Sequence, residues 1–278
     1  MSDHRLVIAV LLFLLLPAAA VPGLCQSPPP GAPDADPPGS LPAKRNLGDR
    51  NDRRLFQRFI EDAAVSSGGW AEMQYRYDNL RGGKDHFIGP LVAFKVVTDV
   101  EAGLRFGWLD FRPDTGPNGS GLSDLDLYAK YRLPGGRART AVGALVKIPT
   151  ADEAKGLGTG ERDAELFAAW RADLEAVSIT ANAGFRFNGD PAAPLPHTND
   201  TLLFGGGVLL PASQRLTIVI EGSFETNRIK GIADDGRLTL GMQSRGRRGR
   251  GGFRGAVAIP LKDGAPDSEL IAGAFLTY

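Results

Sequence analysis

The acidic pair Asp124 and Asp126 is the first candidate for chemistry. It lies in LSDLDLYAKYRL, residues Leu122 to Leu133, so in an extended chain both carboxylates share one face. Two neighbouring carboxyls can divide general acid and general base work between them. Here the same parity also carries Tyr128, Lys130 and Arg132, while Leu125, Leu127, Ala129, Tyr131 and Leu133 make the other face wholly apolar. Cations on the same strand neutralise the pair, and the stretch holds no histidine to share a proton. These residues read as part of a wider charged face.

Other candidate sites are thin. The chain has three histidines, His4, His86 and His197. His4 falls in an N-terminal leader and the other two in expected loops, so no Ser-His-Asp set assembles. Asp152, Glu153, Glu161 and Asp163 flank the loop KGLGTGER, which reads as solvated rather than as a calcium site. Gly156, Gly158 and Gly160 lack the following helix that a phosphate-binding turn needs. SRGRRGRGG, residues Ser244 to Gly252, is a single copy between two strands and reads as a basic turn, not a nucleic-acid motif. A formal net charge of zero gives no global field for an acidic partner. The expectation is a chain with no enzyme activity, metal, cofactor or nucleic-acid partner.

The elements that would position these charges follow from composition and period. His4 and Arg5, the apolar run Leu6 to Leu16, and Ala18 to Ala20 make residues 1–20 a secretory signal peptide. Cys25, the single cysteine, follows; the large Leu24 before it disfavours a lipidated N-terminus. Residues 21–51 contain SPPPGAPDADPPGSLP and read as a disordered Pro-rich linker. Residues 52–68 form a short entry segment. Leu55, Phe56, Phe59, Ile60 and Ala63 fall there at helical spacing, and a plug is the alternative to a locally packed helix.

From residue 69 to 278 the period is two. Ala71, Met73, Tyr75 and Tyr77 oppose Glu72, Gln74 and Arg76; Ala102, Leu104, Phe106 and Trp108 oppose Glu101, Gly103 and Arg105. The pattern continues to Tyr278, with unclear parity only in the Gly-rich run Leu202 to Leu210. This gives about twelve strands of roughly ten residues, the length that crosses a bilayer at a tilt. Connections alternate long and short, with 79–86, 113–121, 149–162, 189–200 and 227–236 expected to be long. The fold class is therefore all-β: a closed antiparallel transmembrane β-barrel of about twelve strands in the cell outer membrane. Lipid leaves backbone groups unsatisfied, so only a closed sheet serves there. A charge facing mid-bilayer lipid costs roughly 2–4 kcal/mol, which forces charged side chains inward. The lumen-facing candidates are Glu72, Arg76, Lys95, Glu101, Arg105, Asp124, Asp126, Lys130, Arg132, Lys147, Glu165, Arg171, Arg186, Glu221 and Arg254.

Three stretches, GLSDLDLYAKYRL, VGALVKIPTADEAKGLGTGERDAELFAAW and ITANAGFRFNGD, resemble the family named for the MetA pathway of phenol degradation. Its members show a similar G-x-x-D-x-x-x-x-x-K-Y strand, a K-x-P-T strand end and a G-x-G-T-G loop. IEDAAVSSGGWAEMQYRY is similar to the family's D-D-A-x-T-x-x-x-G-x-W-E segment, with Glu61 replacing the first Asp and Ser66 the Thr. Ala151 stands where the family usually has Gly before Asp152. The resemblance covers roughly residues 60–278. It implies an outer-membrane channel or transporter for small, often hydrophobic or aromatic, molecules. Gly273, Leu276 and Tyr278 also resemble the C-terminal signal read by the outer-membrane barrel-insertion machinery, which with the outer-membrane lipids would be a partner. Two alternatives stay open: a closed barrel with a structural or loop-mediated binding role, and an outer-membrane hydrolase.

Overall fold

The computed structural model describes residues 52–135, 138–174, 176–191, 196–246 and 249–278. The expected signal peptide, Cys25 and the Pro-rich linker lie outside the described residues.

Alternating residues build fourteen strand segments: β1 (Gly69–Leu80), β2 (Gly83–Val97), β3 (Val100–Arg105), β4 (Trp108–Pro113), β5 (Gly119–Leu122), β6 (Leu125–Leu133), β7 (Ala138–Ile148), β8 (Asp163–Asp173), β9 (Ser178–Phe187), β10 (Thr201–Pro211), β11 (Leu216–Glu225), β12 (Asp235–Arg245), β13 (Gly251–Pro260) and β14 (Ser268–Thr277). β3 and β4 are two halves of one crossing, interrupted at Phe106–Gly107. β5 and β6 are halves of the next, interrupted at Ser123–Asp124. The result is a closed antiparallel barrel of twelve crossings. Closure is made by β1 against β14, in register from Trp70 opposite Thr277 to Asn79 opposite Ser268. The Gly69 N–H donates to the Tyr278 carbonyl at 2.7 Å and completes the seam.

Apolar residues face outward, where a soluble protein would hide them. Met73, Phe94, Trp108, Leu166, Phe204, Ile218, Met242 and Phe253 are all exposed. The Gly-rich strand β10, ambiguous in the sequence, obeys the same parity: Leu202, Phe204 and Leu210 point out, Leu203 and Leu209 in.

Connections on the side of the described termini are short; those on the other side include 149–162, 188–200 and 226–234. Outer-membrane barrels have short periplasmic turns and longer extracellular loops, so the termini face the periplasm. The connection expected to be long at 79–86 is a tight turn over Arg81 and Gly82, because Lys84, Asp85 and His86 belong to β2. These polar residues are the extracellular end of a strand, where a charge no longer meets lipid.

Residues 52–66 do not form the α-helix their spacing allows. They run as turns and bends inside the barrel, buried throughout except for the half-buried Gln57. A helix satisfies its own backbone; here the wall supplies the partners instead.

Candidate functional site in the barrel lumen

The wall holds residues 52–66 by their backbone. Glu221 on β11 accepts the N–H groups of Phe56, Gln57 and Arg58 at 2.7, 3.0 and 2.8 Å. Lys130 on β6 donates to the carbonyls of Ile60 and Asp62. Arg171 on β8 donates to the Arg53 carbonyl and pairs with the Asp62 carboxylate at 3.1 Å. Arg254 on β13 donates to the Leu55 carbonyl and lies 4.2 Å over the Phe56 ring. Arg54 pairs with Glu101 on β3 at 2.6 Å, and Lys130 joins the same carboxylate at 3.1 Å. The segment is a plug. Its chain rises from Asp52, tied to Gln243 and Arg245 at the periplasmic end, turns at Gln57 to Glu61, and returns to Gly68 beside Lys95.

Apolar contacts complete the seal. Phe59 and Ile60 pack with Trp70, Leu91, Tyr128, Leu145, Phe167 and Phe275; Leu55 and Phe56 pack with Leu209, Val219, Ala256 and Ile271. Three inward glycines make room. A Cβ on Gly207 would lie 2.9 Å from Leu55, on Gly205 2.9 Å from Arg58, and on Gly241 2.4 Å from Phe56.

The fifteen inward candidates therefore divide. Glu72, Glu101, Lys130, Arg171, Glu221 and Arg254 are buried around the plug. Arg76, Arg105, Asp124, Asp126, Lys147 and Arg186 line a cavity of about 350 Å³ between the plug's apex and the long loops. Glu165 is buried behind Arg186, which donates to it at 2.8 Å. Lys95 and Arg132 lie near the periplasmic rim, where Arg132 donates to Asp99.

The opening carboxylate pair is split between tasks. Asp126 accepts two hydrogen bonds from Arg105, at 3.0 and 2.7 Å. Asp124 sits at the strand interruption and accepts from the Thr150 and Ala151 N–H groups, pinning the start of loop 149–162. Across that loop the four carboxylates do not converge: Asp152 caps Ala154 and pairs with Lys155, while Asp163 pairs with Lys147 at 2.9 Å and Arg228 at 2.7 Å.

The sequence reading missed the inward apolar set and the three glycines. For Leu203, Leu209, Gly205 and Gly207 the signal was a strand apolar on both faces, LLFGGGVLL, which needs an apolar object inside a barrel; Gly241 lies on β12.

On the outer surface, His86, Asp110 and Ser120 stand in one cross-strand row near the extracellular rim. Tyr75 Oη and His86 Nδ1 are 3.0 Å apart, and Asp110 accepts from Arg112 at 2.6 and 2.9 Å. Ser120 is two strands from His86, about 10 Å at the usual strand spacing. The row has the residue types of a nucleophilic triad without its hydrogen-bond order.

The extracellular loop 188–200 carries a separate clasp. Asp190 lies 2.8 Å from His197 Nδ1 and accepts the Thr198 N–H. The bond to His197, aided by Thr198, holds the Asp190 carboxyl below the ordinary carboxylate range.

Residues 71–240 match the family described as "Putative MetA-pathway of phenol degradation". The chain belongs to this family. Among solved structures it is similar to an outer membrane channel from Pseudomonas putida F1, with 14% identity and a TM-score of 0.61 over 78% of this chain and 98% of that one. The NanC porin matches with 8% identity and a TM-score of 0.54 over 75% of this chain and 98% of that one. The KdgM porin matches with 10% identity and a TM-score of 0.52 over 74% and 99%. At these identities the shared property is the barrel fold. Comparison with curated proteins gives no match. This member of the family is an outer-membrane β-barrel.

Proposed function

We propose that the protein is a channel for passive passage of small molecules across the outer membrane, with its own N-terminal segment as the closure. The observation that carries this is the polar cavity ending on the apex of a plug made of turns rather than of barrel wall. Removing one segment would join the cavity to the periplasm without opening a strand pair. The family match and the fold of the neighbouring channels support the same reading, and small hydrophobic or aromatic solutes are the class the family resemblance suggests. Outer-membrane lipids would contact the exposed apolar surface. Gly273, Leu276 and Tyr278 would serve recognition by the insertion machinery; Leu276 and Tyr278 are outward and exposed, in keeping with a surface read during insertion.

The surface row His86, Asp110 and Ser120 favours a role other than hydrolysis, since Arg112 engages Asp110 and Ser120 lies too far from the imidazole to be activated. Planar-bilayer conductance of the full chain and of a chain lacking residues 53–64 tests the channel reading. Stepwise current that rises on deletion is expected. Equal insulation by both proteins would favour a closed structural barrel.

A further inference from the structure

The extracellular connection 149–162 does not stand clear of the barrel. On the short strand β5, Ser120 and Leu122 are exposed on the outer face, while Gly119 and Gly121 are buried on the inner one. A Cβ on Gly119 would overlap the Lys155 carbonyl oxygen, and one on Gly121 would lie 2.9 Å from Leu157 Cδ1. Glycine within a strand marks a site where other backbone approaches closely, and here residues 155–157 are seated against the inside of the wall. A single 3₁₀ turn over Glu153–Lys155 delivers them: the Gly156 N–H donates to the Glu153 carbonyl, and the Leu157 N–H to the Asp152 carbonyl at 3.2 Å. Leu157 is 6% exposed and lines the outer cavity with Leu109, Ser123 and Asp124. A buried leucine keeps a loop tip in place by excluding water from its seat, with no polar partner needed.

The loop is also moored. Among the described residues, the extracellular connections that put a side chain into the cavity lining are 149–162, through Leu157, and 226–234, through Arg228. Both run back to one carboxylate. Asp163, at the start of β8, accepts from Arg228 at 2.7 Å and from the Gly189 N–H at 3.0 Å, and pairs with Lys147 at 2.9 Å. Lys147 in turn donates to Thr159 Oγ1 at 3.2 Å. Asp163 is buried, so salt screens these bonds little. Three extracellular loops thus hang on one covered acid, and one of them carries an apolar side chain into the lumen. These bonds fix loops to the wall and leave the strand pairing of the barrel untouched.

We propose that residues 153–159 form a constriction at the extracellular mouth that sets the largest solute able to reach the cavity. Leu157 narrows the aperture, and Asp163 is the positioning residue that keeps the loops drawn together. The proposal deepens the channel reading and rests on it for its role in transport.

The test reads access to the cavity directly. Cys25, the single cysteine, is replaced by serine, and Ser223→Cys, on β11 in the cavity lining, supplies a reporter thiol. The purified full chain in detergent is labelled with N-ethylmaleimide and with the far bulkier fluorescein maleimide. With the loop intact, the small reagent should react and the bulky one lag. Leu157→Ala and Asp163→Asn should each speed the bulky reagent, relative to the small one, by at least ~10-fold, equivalent to about 1.4 kcal/mol of closure lost. Heat-modifiable gel migration verifies that each variant keeps its barrel. Ready bulky labelling with the loop intact, or an unchanged ratio in both folded variants, would overturn the constriction. Liposome swelling with a series of sugars of rising size, for the full chain with and without Leu157→Ala, separates the two readings. A higher size limit in the variant is expected. Labelling as expected without passage of any sugar by either protein would overturn the channel and leave the constriction standing. Passage with the same size limit and the same labelling ratio in both would overturn the constriction and leave the channel.

Discussion

The periplasmic and extracellular halves of the lumen carry the same residue types and use them differently. Around the plug, Glu101, Lys130, Arg171 and Glu221 are wholly buried and bonded to chain that is not part of the wall. Toward the loops, Arg105, Arg186 and Lys147 pair with carboxylates of the wall itself and keep part of their surface in a cavity. A buried ion bonded to a removable partner is a fastening, because breaking it leaves an uncompensated charge. A partly hydrated pair contributes little stability and keeps its charges in reach of whatever fills the cavity. One alternating pattern thus encodes the mooring of a plug below and a charged cavity wall above.

The largest expected effect comes from removing the plug. A chain lacking residues 53–64 should keep its heat-modifiable barrel and show at least ~10-fold higher conductance, since the floor of the cavity is gone; an unchanged current would erase the distinction between the halves. Next comes Arg171→Ala, which strips the partner from buried Asp62 and the donor from the Arg53 carbonyl. Loss of one member of a buried pair costs about 3–5 kcal/mol, read as a lower unfolding midpoint in urea and a more frequent open state in single-channel records. Glu221→Ala leaves three plug N–H groups without their acceptor. Each buried orphan costs about 1–3 kcal/mol before water replaces the carboxylate, so protease cleavage within residues 52–66 should become detectable at temperatures where the wild type resists. In the upper half, Arg105→Gln should shift the unfolding midpoint by no more than about 1 kcal/mol while moving the reversal potential toward cations, since Asp126 loses its guanidinium. A stability loss as large as that of Arg171→Ala would show that the upper pairs are fastenings too.

The smallest effect lies outside the membrane. The Asp190 carboxyl has a folded value below its unfolded one of about 3.9, so its stabilising contribution is full above the unfolded value and is lost as pH falls through the lower folded one. Amide exchange at Thr198 should therefore speed up on acidification through that window and be nearly pH-insensitive, beyond intrinsic chemistry, in Asp190→Asn.

The wall was legible because lipid enforces a period of two on every crossing. Outward Met73, Trp108, Leu166 and Phe253 leave little freedom in parity. The plug was legible only as one alternative to a packed helix, for a physical reason. Leu55, Phe56, Phe59 and Ile60 are spaced as a helix would space them, yet the spacing says nothing about who satisfies the backbone. Glu221, Lys130, Arg171 and Arg254 do so from strands scattered over more than a hundred residues. The cavity was legible only as a set of inward charges. Which member of each pair would be covered depends on side-chain length and on the neighbouring strand, neither of which period reveals.

The stacked rings of Trp70 and Phe275, with centroids 4.3 Å apart, carry Phe59 of the plug at 5.4 Å from Trp70. Trp70 lies at the start of β1 and Phe275 near the end of β14, so three aromatic rings from the plug and the two seam strands meet in one place. Phe59 and Trp70 cannot complete this cluster until Phe275 has been made. Such long-separation contacts are slow to form, and a chain cut short before Phe275 would leave both its barrel edge and its stopper without a seat. The same trio thereby couples the seating of the plug to the closing of the seam.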